Sequence, residues 1–141
     1  MSSKNDLSRY LKAQENTYTT ALNEIKNGQK RTHWMWFIFP QINGLGNTEI
    51  SKKYSIKTIE EAISYLNHPI LGERLKEITG ELLQLKGKSA FEIFGSPDDK
   101  KLKSGMTLFS VVSREPNLFL SVLENYFKGE KDERTLENLI Q

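Results

Sequence analysis

The fold class is decided by residues 69–87, which read PILGERLKEITGELLQLKG. Apolar side chains recur along this stretch at spacings of three and four residues, at Leu71, Leu75, Ile78, Leu82 and Leu85. Such spacing places them on one face of an α-helix. Pro69 suits the first turn of that helix, where a missing backbone N–H is tolerated, and Gly87 suits its end. The stretch therefore predicts a long amphipathic helix.

The chain before this helix carries further helical patterns. Residues 6–27 show the same spacing of apolar positions, and this predicts one helix with Asp6 as its N-cap and Gly28 as its stop. Residues 58–61 read TIEE, which is a capping-box pattern. A shorter helix is expected to begin there.

The chain after residue 87 contains two more helix starts. Residues 96–99 read SPDD, which predicts Ser96 as N-cap, the proline at the first helical position and two acids in the first turn. Residues 115–116 read EP and open a helix that Gly129 stops. A brief apolar element precedes these starts at 90–94, and one or two amphipathic turns end the chain.

Residues 33–39, which read HWMWFIF, are ambiguous. In a strand, Trp34, Trp36 and Ile38 share one face, whereas in a helix Trp34 meets Phe37 and Ile38. Both faces are apolar in either case, so periodicity cannot decide between them.

No region shows the regular alternation that is typical of strands, and 141 residues is the length of one ordinary domain. We therefore predict an all-α fold in a single domain spanning residues 1–141. The expected architecture is a compact orthogonal bundle of about seven to nine helices, some of them short.

Composition excludes several classes of protein. An apolar fraction of 37% and a charged fraction of 27% fit a soluble globular protein. The net charge of +2 is too small for a nucleic-acid surface, and the basic pairs at 30–31, 52–53 and 100–101 are interpreted as solvated faces. The longest apolar run, 34–39, is too short to span a bilayer. The polar N-terminus is not a signal peptide, so we expect a cytoplasmic protein.

No complete catalytic or cofactor motif is present. The chain has no cysteine, which removes thiolate nucleophiles and cysteine-ligated zinc, and only two histidines, which excludes a multi-histidine metal site. Residues 44–46 (GLG) lack the third glycine and the preceding strand of a dinucleotide-binding motif. We therefore predict a site that needs neither metal nor cofactor.

One candidate cluster surrounds the aromatic segment, by which we mean residues 33–41. Its members are Arg31, His33, Trp34, Trp36 and Gln41. Tryptophan and arginine together can stack on a flat ring or bind a phosphate, and a histidine can act as an acid or base near neutral pH. The alternative is that the aromatic side chains are core and the polar residues cap backbone ends.

A second cluster lies at the helix start, with Asp98, Lys101 and Ser104 on adjoining turns of one face. A carboxylate, an ammonium and a hydroxyl in this arrangement can hold a polar ligand. If the protein is an enzyme, His33 and Asp98 are the candidate acid–base pair for hydrolytic chemistry. The alternative is helix capping by the acids together with an ion pair.

The two clusters lie within two of four segments that resemble one known family. The segments are 31–46 (RTHWMWFIFPQINGLG), 65–75 (YLNHPILGERL), 94–109 (FGSPDDKKLKSGMTLF) and 127–136 (FKGEKDERTL). They are similar to the motifs of a bacterial and fungal family called domain of unknown function 1810. The resemblance implies a compact, mainly helical single domain and no particular activity. One departure is Gly105, where a serine is expected, and this argues against an essential hydroxyl at that position.

Two functions fit these clusters. The first is a site for a flat, polar small molecule, with nucleotide- or ribose-containing ligands as the best match, bound by Trp34 or Trp36 with Arg31 and Lys101 as cationic contacts. The second is a protein-interaction module or homodimer that uses the aromatic segment without catalysis. A concave pocket favours the first, and a flat apolar patch favours the second.

Overall fold

Residues 6–114 and 117–139 are described by the structure, a computed structural model, and this part of the chain forms ten helices and no strand. The helices are α1 (Ser8–Gln14), α2 (Tyr18–Lys26), α3 (Met35–Ile38), α4 (Glu49–Tyr54), α5 (Ile59–Asn67), α6 (Leu71–Gln84), α7 (Ala90–Phe94), α8 (Asp98–Val112), α9 (Leu118–Phe127) and α10 (Glu133–Leu139). The predicted all-helical class is confirmed. The predicted number was slightly low, because α3, α4 and α7 are too short to show a period.

The helix predicted over residues 6–27 is in fact two helices, α1 and α2, separated by a turn at 15–17. The last residue of α1, Gln14, is buried and donates hydrogen bonds to the carbonyl of Phe37 (2.8 Å) and the hydroxyl of Tyr65 (3.0 Å). α2 packs on α6 instead. Because of this break, α1 and α2 pack on different neighbours. The apolar spacing in the sequence continues across the break and therefore did not reveal it.

The capping-box pattern at 58–61 is only half realised. The Thr58 hydroxyl accepts a hydrogen bond from the Glu61 N–H at 3.0 Å, as predicted. The Glu61 carboxylate instead pairs with Arg9 of α1 at 3.1 Å, because a charged partner lies within its reach. A complete capping box opens α7, where Ser89 and Glu92 exchange both bonds. The apolar element at 90–94 is therefore a helix.

α8 begins at Asp98, one residue later than predicted. Pro97 occupies the N-cap position and no side chain caps the helix, so the assignment of Ser96 as N-cap was wrong. The backbone satisfies the first turn instead, since the Asp99 N–H donates to the Gly95 carbonyl at 2.9 Å.

α8 runs through the core and contacts α5, α7, α9 and α10. Residues 104–110 are all buried, so burial extends well beyond one helix face. At Gly105 the helix approaches the backbone of the aromatic segment. A Cβ there would lie 3.2 Å from the Phe39 carbonyl oxygen and 3.1 Å from that of Pro40. This contact brings the N-terminal half of α8 beside the aromatic segment.

The aromatic segment itself forms the single turn of α3, which resolves the ambiguity at 33–39 in favour of a helix. Trp34, Met35 and Phe37 to Phe39 are buried, and only Trp36 among the aromatic residues is half-buried. The rings of Trp34 and Phe39 both pack against Phe94 of α7, at centroid distances of 6.4 and 6.0 Å. The segment is thus largely core.

The helix start predicted at residues 115–116 and the apolar Ile140 lie outside the described residues. α9 is capped by Asn117, whose side chain accepts from the N–H groups of Phe119 and Leu120 at 3.2 Å each. It ends where Lys128 adopts a left-handed conformation with φ 57°. No helix in the described ranges is long and apolar enough to cross a membrane.

Candidate ligand-binding site

A buried carboxylate, that of Glu24 on α2, organises the chain before the aromatic segment. It accepts hydrogen bonds from the Arg31 N–H (2.8 Å), from the N–H (3.2 Å) and hydroxyl (2.8 Å) of Thr32, and from the indole N–H of Trp34 (2.8 Å). Burial opposes ionisation of this carboxyl, but the hydrogen bonds outweigh it and hold the pKa of Glu24 below its usual value. The Trp34 N–H is therefore satisfied within the core.

The two segments predicted to form one site do meet in space. Lys30 Nζ lies 2.9 Å from one carboxylate oxygen of Asp98, and Lys101 Nζ lies 3.3 Å from the other. The Lys101 ammonium is also 4.2 Å from the centroid of the Trp36 ring, which is a cation–π distance. The N-terminal turns of α8 therefore contact Lys30, which precedes the aromatic segment, and Trp36 within it.

A surface cleft of about 490 Å³ opens beside this junction, and we call it the cationic cleft. Its walls are Trp36, the loop 41–46, residues of α4 and Ser55 after it, residues 97, 100–101 and 103–104 around the first turns of α8, and Asp132 and Arg134 at the start of α10. This volume falls within the range of roughly 300–1,000 Å³ typical of small-molecule sites.

Positive charge dominates the lining of the cleft. The charged residues are Lys100, Lys101, Lys103, Arg134 and the single carboxylate Asp132. Lys101 is paired with Asp98, and Lys103 lies 3.4 Å from the exposed Glu130. Lys100 has no ion-pair partner among the described residues. The cleft therefore offers a ligand several ammonium groups and a guanidinium.

Asp132, which immediately precedes α10, is positioned by residues of both α8 and α10. Its carboxylate accepts a hydrogen bond from the Ser104 hydroxyl at 3.0 Å and from the Thr135 N–H at 3.1 Å. Its backbone N–H donates to the Thr107 hydroxyl at 2.9 Å. The loop before α10 is thereby tethered to the cleft wall.

The structure divides the residues predicted from the sequence into three groups. Those that line the cleft are Trp36, Gln41, Lys101 and Ser104. Trp34 has no exposed surface, and Asp98 is absent from the lining and is paired with Lys30 and Lys101. The side chains of Arg31 and His33 are exposed and do not line the cleft.

Sequence reasoning missed several residues of this site. Lys30 was interpreted as part of a solvated pair, but its side chain is 8% exposed and pairs with Asp98. Asp132 and Arg134 gave no local signal, because they reach the cleft only through the packing of α10 on α8. Glu24 lies on the predicted helix 6–27, and only its partners in the fold distinguish it.

Metal coordination finds no support in the described ranges, where no group of three or more histidine, cysteine, aspartate or glutamate side chains is arranged to hold an ion. The cleft itself contains one carboxylate and no histidine. Its chemistry is that of hydrogen bonding and cation contacts.

Comparison with known proteins places this chain in a family. Residues 4–139 match the model of a family described as protein of unknown function (DUF1810). The chain belongs to this family. The resemblance drawn from the four sequence segments is thereby confirmed.

The fold is similar to the crystal structure of the conserved hypothetical protein Rv1873 from Mycobacterium tuberculosis. The two chains are 45% identical, the match covers 96% of this chain and 97% of that one, and the TM-score is 0.94. A search of curated proteins found no match. The family and the fold are established by these comparisons, and neither name specifies a ligand or a reaction.

Proposed function

We propose that the cationic cleft binds a small organic ligand bearing a phosphate group, of the nucleotide or sugar-phosphate class. The observation that carries this proposal is the convergence of four cationic side chains and one carboxylate on a cleft of about 490 Å³. An anionic ligand relieves the mutual repulsion of the cations, and phosphate oxygens accept several charge-assisted hydrogen bonds at once.

The cleft also offers aromatic surface beside its cations. Trp36 and Tyr54 both line it, and the Lys101 ammonium lies against the Trp36 ring. An aromatic or sugar ring packs favourably on such surface while a phosphate meets the neighbouring ammonium groups. Asp98 then acts as a positioning residue, because it holds Lys101 at the edge of the cleft.

The hydrolytic form of this function keeps His33 and Asp98 as its acid–base pair. Both oxygens of Asp98 contact lysines, and His33 lies outside the cleft lining. Catalysis by these two residues therefore requires a ligand that extends beyond the cleft. Binding is the simpler function and the one that the geometry favours.

The alternative function is a protein-interaction module or homodimer built on the aromatic segment. This segment offers little accessible apolar surface for such an interface. The apolar side chains of this segment are buried within the chain, apart from the half-buried Trp36. A binding hot spot needs accessible aromatic surface. The concave, charged cleft favours the small-molecule function instead.

The test is a titration of the protein with AMP, ribose 5-phosphate and inorganic phosphate, followed by calorimetry and by thermal unfolding. A ligand at one hundred times its dissociation constant stabilises a protein by about 2.7 kcal/mol, which a thermal shift detects. We expect Lys100→Ala and Lys101→Ala each to weaken binding about tenfold.

Lys86→Ala is the matched control, since Lys86 is an exposed lysine outside the cleft, and it should bind like the wild type. Unfolding curves of all variants without ligand separate lost binding from lost stability. The proposal is overturned if none of the three compounds binds at millimolar concentration, or if the control loses as much affinity as the cleft variants.

A further inference from the structure

Asp132 has one carboxylate oxygen fully engaged and the other free. Oδ2 accepts hydrogen bonds from the Ser104 hydroxyl (3.0 Å) and from the hydroxyl (2.5 Å) and N–H (3.1 Å) of Thr135. Within the described ranges no protein group donates to Oδ1, and Asp132 lines the cationic cleft. A carboxylate oxygen that only accepts hydrogen bonds is thus fixed in a cleft whose other charges are positive.

Capping of α10 explains only part of this arrangement. The bond from the Thr135 N–H needs a single acceptor, which serine, threonine or asparagine supplies equally well at a helix start. A carboxylate there lowers the positive potential of the cleft, and it forms no ion pair with any described cation. Its free oxygen is therefore available to a ligand group that donates hydrogen bonds.

The spacing on α8 sets how far this acceptor lies from the cations. Ser104, which touches Asp132, follows Lys100 by four residues and Lys101 by three. Side chains at these spacings stand on adjoining turns, with Cβ atoms about 5–6 Å apart. One phosphorylated sugar is long enough to reach the lysines with its phosphate and Asp132 with its hydroxyl groups.

We infer that Asp132 recognises ligand hydroxyls, so that the cleft selects sugar phosphates over phosphate esters that lack hydroxyl groups. The inference rests on the proposed function and narrows its ligand class. The lysines bind the phosphate and supply most of the affinity. The Asp132 Oδ1 atom accepts from one or two sugar hydroxyls and supplies the selectivity.

The experiment compares ribose 5-phosphate with propyl phosphate, which carries the same phosphate ester without hydroxyls, by calorimetry at constant ionic strength. The wild type should bind ribose 5-phosphate at least tenfold more tightly. In Asp132→Asn the amide oxygen keeps the bonds from Ser104 and Thr135, while the charge is lost. This variant should bind ribose 5-phosphate about tenfold more weakly and propyl phosphate as well as the wild type or better.

Glu130→Gln is the matched control, because it removes a carboxylate that lies 3.4 Å from the cleft residue Lys103 but is itself outside the cleft lining. It should leave the ratio of the two affinities unchanged, which distinguishes hydroxyl recognition from a general change of charge.

A wild-type protein that binds both esters equally overturns the inference without any variant, and the proposed function then stands. The same holds if Asp132→Asn keeps the wild-type ratio. If neither ester binds the wild type, the inference fails, and the proposed function fails with it only if AMP and inorganic phosphate do not bind either.

Discussion

The single residue Glu24 fixes the chain that leads into the aromatic segment. Its carboxylate is the acceptor for two backbone N–H groups, one hydroxyl and the Trp34 indole. A buried donor left without an acceptor costs about 1–3 kcal/mol, so Glu24→Ala should lower the free energy of unfolding by about 3 kcal/mol. Urea denaturation measures this loss. Glu15→Ala, at an exposed position, should change it by less than about 0.5 kcal/mol.

The same residue predicts a pH dependence. Because the pKa of Glu24 is lower in the folded than in the unfolded protein, its stabilising effect is complete above the unfolded pKa of about 4.3. The effect is lost as the pH falls through the folded pKa. The difference in stability between wild type and Glu24→Ala should therefore narrow below about pH 4. A difference that widens in acid would contradict this assignment.

Sequence patterns selected several residues that line the cleft, but they did not show which of the selected side chains are exposed there. Trp36, Gln41, Lys101 and Ser104 were selected and do line the cleft. Trp34 was selected for the same reason as Trp36, but its ring is wholly buried. Neighbouring residues on one short helix turn point in different directions, and the sequence cannot show which direction faces solvent when both are apolar.

At the scale of elements, the two glycines within α6 lead to opposite predictions. A Cβ at Gly72 would lie 2.0 Å from the carbonyl oxygen of Leu66, which is backbone and cannot rotate away. Gly72→Ala should therefore destabilise the packing of α6 on α5 by about 1–3 kcal/mol or more. At Gly80 a Cβ would meet nothing within 4 Å, and Gly80→Ala should stabilise the helix by about 0.5–1 kcal/mol.

Thermal unfolding of the two variants tests this pair directly, since each serves as the control for the other. We expect a lower midpoint for Gly72→Ala and a higher one for Gly80→Ala. Equal shifts would mean that helix propensity, and not the contact with α5, decides the effect at Gly72.

Elements with a long apolar stripe were the ones that sequence predicted well. α6 was located from its period and ends within a few residues of the predicted limits. The break between α1 and α2 was missed, because the buried contacts of Gln14 are made with residues more than twenty positions away. No helix was predicted at α4, although Thr48 caps it through the Ser51 N–H at 3.2 Å.

At the scale of the whole molecule, the ion pair of Lys30 and Asp98 joins the chain after α2 to the start of α8. The atoms are 2.9 Å apart and the side chains are 8% and 18% exposed. A double-mutant cycle with Lys30→Met and Asp98→Asn should give a coupling energy of about 1–2 kcal/mol in unfolding. Such a value exceeds that of a typical surface pair.

The pair of Lys76 and Glu73 provides the comparison, with atoms 4.0 Å apart and side chains 48% and 75% exposed. Its coupling energy should be below about 0.5 kcal/mol. Similar coupling energies for the two pairs would show that the Lys30–Asp98 contact does not hold the site together.

The sequence by itself determined the helical class and the family, because apolar spacing and long motifs are local properties of the chain. It also selected the two segments that meet at the site. Only the tertiary structure decided which side chains face the cleft, since Asp132 and Arg134 arrive through the packing of α10 on α8. It also decided that Lys30 is buried beside Asp98. The physical reason is that burial and charge pairing depend on neighbours distant in sequence, which no local pattern records.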